Sequence, residues 1–200
     1  MEVADLVFRR LADALEPPSR TTAVPEGLRA AGVLVPLRAG AGGIRVVLSR
    51  RTERVPHHKG QVCFPGGSKD PRDDGLLETA LREAREEVGI DRKNVTVLGA
   101  MEPVLTVTGF CIRPFVARLA EGTGYSLDAF EVAEVFEAPL REFARFERYR
   151  CAESTFRGRE NKVWFFDYEG RTIWGATATI LHRLAEIAAP KGEFDTPSRT

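Results

Sequence analysis

The chain has 200 residues, and its 29 basic and 29 acidic side chains cancel to no formal net charge at pH 7. That length is enough for one ordinary domain with a buried core, and the balanced charge excludes an overall field that would draw the protein to nucleic acid or to an anionic membrane. The 3 cysteines form no CxxC pair, which argues against a disulfide framework or structural zinc site, and with no basic-apolar leader and no membrane-length apolar run the expectation is a soluble cytoplasmic protein.

The first element is a helix over about residues 2–16, with Val3, Leu6, Val7, Arg10, Leu11 and Leu15 near one face and Pro17 and Pro18 as its stop. A polar connection leads into "AAGVLVPLR" and "IRVVLS", two strands of a hairpin turning at Gly40 to Gly43. The basic loop "RRTERVPHHKG" and the stretch "FPGGSKDPRDDGLLETALREAREEVGI" follow. Beyond them "VTVLGAMEPVL" and "IRPFVARL" read as strands with a turn at Thr108 and Gly109, and "VAEVFEAPL" as a strand ended by Pro139 before a short helix through Phe146. "YRCAESTF" and "KVWFFDYEG" are strand-like, "GATATILHRLAEIAA" is an amphipathic helix closed by Pro190, and the last residues, about 190–200, form a loose polar tail. Helices at the start, middle and end with strands between them point to a mixed α/β domain, a sheet covered on both sides.

The central helix carries the chemistry. At roughly 100° per residue, Leu77, Ala80, Leu81, Ala84 and Val88 form an apolar stripe, while Glu83, Glu86 and Glu87 share a separate arc. Like charges so placed repel by a few tenths of a kcal/mol per pair, roughly, on an isolated helix. A hard divalent cation such as Mg²⁺ or Mn²⁺ among them would compensate. Arg82, one turn from both Glu78 and Glu86, has the reach to hold a carboxylate. Gly66 and Gly67 are suited to expose backbone N–H groups to phosphate oxygens.

This stretch resembles the Nudix box, G-x5-E-x7-R-E-U-x-E-E-x-G-U with U aliphatic. Arg82, Glu83, Glu86, Glu87, Gly89 and Ile90 match, with Ala84 at the first aliphatic position. Counted back from Arg82, the first glutamate falls on Asp74, and the interval from Gly67 is one residue too long. The resemblance implies an α/β/α sandwich with a mixed central sheet and hydrolysis of a nucleoside diphosphate linked to another moiety. It also implies Glu83, Glu86 and Glu87 as metal ligands for Mg²⁺ or Mn²⁺, with Arg82 as their orienting partner. For a general base outside the helix, the candidates are Glu131, Glu134 and Glu102. Glu131 is favoured because family members often carry an acid just before the segment resembling "VAEVFEAPL".

Upstream, "VLSRRTERVPHHKGQVCFPGG" is similar to the coenzyme A pyrophosphatase branch, with its motif L-L-T-x-x-S-x3-R-x3-G-x3-F-P-G-G. Leu48, Gly60, Phe64, Pro65, Gly66 and Gly67 match; Val47, Ser49 and Thr52 are similar replacements; Pro56 stands where the motif has arginine. Arg51, Arg54 or Lys59 would then supply the cation for phosphate. The implied reaction cuts coenzyme A, or an acyl or oxidised form, into 3′,5′-ADP and a 4′-phosphopantetheine. The proline leaves open a diphosphatase for another conjugate, such as ADP-ribose, a dinucleotide cofactor or an oxidised nucleotide. A non-catalytic nucleotide-binding module of the same fold is the alternative of another class. The whole chain, 1–200, is expected as one such domain, and its oligomeric state is open, a homodimer being one option.

Overall fold

The computed structural model describes residues 2–40, 42–156 and 159–189, leaving aside the side chains of residues 2 and 154–161; the expected tail at 190–200 lies outside the described residues. The first helix, α1 (Glu2–Ala14), buries Ala4, Val7, Phe8 and Leu11 and leaves Val3 and Leu6 exposed. The expected face is thus rotated, because the stripe that packs is the one containing Phe8.

Strands β1 (Arg29–Gly40) and β2 (Gly43–Arg51) form the expected hairpin, with Leu37 opposite Val46 and Gly40 opposite Gly43. Their pairing ends there. At Pro36, which has no N–H to give, β1 parts from β2, and the short strands β3 (Val62–Cys63) and β4 (Gly66–Ser68) enter the gap, β3 on β2 and β4 on β1. Leu34 N–H donates to Pro65 O at 2.9 Å and closes the wedge.

The next helix, α2 (Leu76–Val88), ends in a Schellman cap: Gly89 takes φ 70°, and Ile90 N–H donates to Ala84 O and Gly89 N–H to Arg85 O. The segment read as one strand after it is two, β5 (Val95–Ala100) and β6 (Val104–Leu105), both antiparallel to β7 (Phe110–Leu119). The interruption falls at Met101 to Pro103. β7 pairs with β1 in parallel, and β8 (Val132–Pro139) lies antiparallel to β2 on its other edge, so the sheet is mixed.

After the short helix α3 (Leu140–Phe143), β9 (Arg150–Phe156), β10 (Arg159–Tyr168) and β11 (Arg171–Trp174) build a second antiparallel sheet, followed by α4 (Gly175–Ala188). β11 was not visible in the sequence: four residues, Arg171 to Trp174, show little periodicity, and their pairing with β10 is what makes them a strand.

The alternation along β1 and β2 sends side chains to two cores. Val35, Leu37, Val46 and Leu48 face α1, α3 and α4, whereas Leu34 and Val47 face Ala80, Leu81, Ala84 and Val88 of α2. The result is α/β/α layering. α2 sits close to β1 because residue 32 is glycine. A Cβ there would lie 2.1 Å from Leu76 O and 3.3 Å from Ala80 N, both backbone atoms of the helix. Gly32→Ala should therefore destabilise the protein by about 1–3 kcal/mol, read as a lowered melting temperature, while Gly124→Ala, whose Cβ would meet nothing within 4 Å, should change it little. Equal melting temperatures for the two variants would contradict this packing.

Candidate active site

The glutamates of α2 do not share one solvent face. Glu87 is 4% exposed. Its Oε2 accepts the Gly66 N–H at 3.1 Å and its Oε1 the Arg51 Nη1 at 3.1 Å. Glu83 is half-buried against Gly67, where an added Cβ would come within 2.4 Å of its Oε1. Glu86 is exposed and bound to Arg82 Nη1 at 2.9 Å. The single acidic arc expected for Glu83, Glu86 and Glu87 is divided at Glu87: on an isolated helix it groups with the other two, but the β3–β4 wedge covers its side of the helix.

Gly66 also departs from expectation, since its N–H is committed to Glu87 and is not offered to a ligand. The double glycine is a close-packing device. A Cβ on Gly66 would lie 2.6 Å from Gly32 O, and Gly67 pairs with Gly32 across β1 and β4.

Arg51 joins the helix to a distant loop. While Nη1 binds Glu87, its Nη2 donates to Glu131 Oε2 at 3.3 Å, and its Nε is buried with no acceptor. A bulge places these groups: β2 pairs Arg50 with Glu134 and Arg51 with Val132, skipping one residue of β8. Such bulges re-aim side chains, and here Arg51 and Val132 point to the α2 face while Arg50 and Glu134 point to the other. The loop before β8 is pinned by Thr52, whose Oγ1 donates to Phe130 O at 2.6 Å and whose N–H donates to Glu131 O at 2.9 Å.

Burial pushes the Glu87 carboxyl up to about 7, opposed by the Gly66 N–H and Arg51 and reinforced by the charges of Glu83 and Glu131. Burial likewise raises Glu83, against Arg82 and with help from Glu86 and Glu131. Glu83, Glu87 and Glu131 thus feel one another as like charges.

Arg82 does not reach Glu78, which Arg92 holds at 2.6 Å. It binds Asp73 with two nitrogens, Nε to Oδ1 at 3.1 Å and Nη2 to Oδ2 at 3.2 Å, and Glu83 at 2.9 Å. Asp73 also accepts from Thr79 Oγ1 at 2.8 Å and from Asp70 N–H at 3.0 Å, and the Arg82 guanidinium holds it below the usual carboxylate range. Asp74, the position reached by counting back from Arg82, is exposed. Asp73, which lies at the box's interval from Gly67, is the acid that Arg82 binds. The extra residue is thus accommodated between Asp73 and the helix.

Of the other expected residues, Gly60 turns the basic loop back at φ 64°, and Arg51 N–H donates to Gln61 O at 3.0 Å. Arg54 is exposed, and its backbone N–H donates to Thr52 Oγ1 at 3.3 Å. Lys59 is exposed and lines a groove away from the carboxylates, with Arg50. Glu134 is neutralised by Arg171 and Arg50, whose hydrogen bonds bring it down to about 2. Cys63 packs in β3, its thiol pushed up to about 11 by burial.

Hard oxygen donors of this number suit a divalent cation by charge and chemistry. Among the described residues, however, no three His, Cys, Asp or Glu side chains converge as a metal cluster.

Comparison with known proteins supports the assignment that the box suggested. The NUDIX domain model matches residues 28–150. A relative from Photorhabdus laumondii, carried as an uncharacterized Nudix hydrolase, NudL, is 37% identical over 93% of this chain and 97% of its own length. Its counterpart from Citrobacter koseri is 43% identical over 78% of this chain and 81% of its own. A solved Ap4A hydrolase complex from C. elegans aligns with 56% of this chain and 80% of its own at 25% identity and TM-score 0.49. The domain match over 28–150 takes in Arg51, the box and Glu131, and the relatives extend it over most of the remainder; the chain belongs to the Nudix hydrolase family.

Proposed function

We propose that the chain is a single-domain cytoplasmic diphosphatase that uses Mg²⁺ or Mn²⁺ to cut coenzyme A, or its acyl or oxidised forms, into 3′,5′-ADP and 4′-phosphopantetheine. The observation that carries the hydrolytic reading is the Arg51 guanidinium held between Glu87 of the box helix and Glu131 of the distant loop. It puts a cation, a buried carboxylate and a half-exposed carboxylate at one place. No described helix is long and apolar enough to cross a membrane, and the free thiols of Cys63, Cys111 and Cys151 fit a reducing compartment.

Glu83 and Glu87, with Glu86 at the rim, are the residues that would hold the metal. A divalent ion held there would supply charge neutralisation for the diphosphate oxygens and a lowered pKa for an attacking water. Glu131, 42% exposed at its side chain and paired with Arg51, is the carboxylate that would accept the proton of the attacking water. The Arg51 guanidinium, held between Glu87 and Glu131, would supply the positive charge beside the diphosphate. Arg82 positions Glu83 and Glu86, and Asp73 fixes Arg82.

The coenzyme A reading is supported by the upstream motif, whose two hydroxyl positions carry Ser49 and Thr52 here. Ser49, buried in β2, donates to Cys63 O at 3.3 Å, and Thr52 clamps Phe130. One observation favours another nucleoside diphosphate conjugate instead: Pro56, at the motif arginine, is exposed and offers no donor. Incubating the purified protein with Mn²⁺ and coenzyme A, acetyl-coenzyme A, ADP-ribose, NADH, diadenosine polyphosphates and nucleoside triphosphates decides between them. Release of 3′,5′-ADP from coenzyme A is the expected result; cleavage of another conjugate with none from coenzyme A would refute the substrate assignment.

Asp73→Asn should lower turnover by loosening Arg82, whereas Asp74→Asn should leave it near wild type; the reverse order in a steady-state assay would return the role to Asp74. Glu87→Gln should lower kcat by about 100-fold or more, and wild-type turnover at limiting metal would remove Glu87 from the site. The same variant reports on burial. Because the folded Glu87 has its pKa raised from 4.5 to about 7, its protonated form favours folding, and that stability is lost as pH rises through this window. With metal chelated, Glu87→Gln should gain melting temperature relative to wild type at about pH 8 but not near pH 4.5.

A further inference from the structure

On the face of the sheet opposite α2, a groove of about 890 Å³ runs between the Lys59–Val62 segment and the β10–β11 edge of the second sheet. That volume is within the range of small-molecule sites. None of Arg51, Glu83, Glu87 or Glu131 lines it. One wall is aromatic. Phe165 and Trp174 are cross-strand partners, offset-stacked with centroids 6.3 Å apart and planes 12° apart, and Trp174 is 40% exposed. A rigidly backed indole that open can stack a further planar ring.

The rest of the groove is positive. Glu134 accepts Arg50 Nε at 2.8 Å and Arg171 Nε and Nη2 at 3.0 and 3.2 Å, so one carboxylate faces two guanidinium groups. Glu169 approaches Arg171 Nη1 at 3.8 Å. Lys59 adds a third cation to the lining, exposed and with no protein partner among the described residues. Aromatic platform and unpaired ammonium at one groove match a flat heteroaromatic base carrying a phosphate.

We propose that this groove binds a nucleotide, its base against Trp174 and a phosphate beside Lys59. The nucleotide has two possible sources with this chemistry: the nucleoside end of the molecule being cut, which rests on the function proposed above, or a separate nucleotide acting as effector. Arg50 and Arg51 leave adjacent positions of β2 for opposite faces, so the groove and the carboxylate site lie on the two sides of that strand.

The test is titration calorimetry and tryptophan fluorescence with 3′,5′-ADP, adenosine and inorganic phosphate, on wild type, Trp174→Leu, Trp174→Tyr and Lys59→Ala. Saturable quenching by 3′,5′-ADP is expected. Trp174→Leu should weaken its binding about tenfold, Trp174→Tyr much less, and Lys59→Ala should weaken 3′,5′-ADP while sparing adenosine. Competition between 3′,5′-ADP and substrate, with KM raised and kcat kept in Trp174→Leu, identifies the substrate's own end. A change in turnover without competition identifies a separate effector. Unaltered nucleotide binding in folded Trp174→Leu and Lys59→Ala overturns the groove as a nucleotide site, even if coenzyme A is cleaved. Failure to cleave coenzyme A, with quenching intact, overturns the substrate reading and leaves the groove standing.

Discussion

Burying the Glu87 carboxylate is the constraint on which the site is built. A lone charge taken out of water costs several kcal/mol, about, unless donors replace the water. Two donors do so, and neither is local: the Gly66 amide arrives on β4 and the Arg51 guanidinium on β2. To bring both to α2, β1 must leave β2 after a few pairs and admit the β3–β4 wedge, and Gly32 must let the helix close on the strand. Arg51 in turn needs the bulge against β8, and with it comes Glu131.

The opposed faces of β2 then separate two kinds of chemistry. Toward α2 the strand carries Val47 and Arg51 into an apolar core and an acidic cluster. Toward the second sheet it carries Arg50, neutralised by Glu134 beside Phe165 and Trp174. Because Arg82 draws together Asp73, Glu83 and Glu86, the outer carboxylates are ordered by one guanidinium, as the inner ones are by Arg51. Each arginine answers like-charge repulsion that the helix alone would not tolerate well.

Much of this was legible in the sequence where spacing decides it. The stripe of Ala80, Leu81, Ala84 and Val88 does face the core, Gly89 does stop the helix, and the β1–β2 hairpin turns where the glycines are. What spacing could not reveal depends on which other segment arrives. Glu87 lies on the same helical arc as Glu86, yet one is buried and the other open, because β4 covers only one of them. Val3 and Leu6 looked like core, but the helix presents two apolar stripes and α4 and the sheet chose the one with Phe8. The interval back from Arg82 reaches Asp74 and the interval on from Gly67 reaches Asp73, and the two-nitrogen bond of Arg82 to Asp73 shows which of the two the fold respects.

The wide sequence spacing of the pairings has a kinetic consequence. β1 waits for β7 and β2 waits for β8, so the strands that carry Arg51 and Gly66 are completed by segments made much later in the chain. Distant pairings close slowly, since the entropy of the intervening loop is lost before the contact forms. Until β8 docks, the edge of β2 is open to other chains, and the helix, free to form from local contacts, holds its glutamates in water. Of those glutamates only Glu87 must leave water, and β8, by pairing with β2, both covers that edge and brings Glu131 to Arg51.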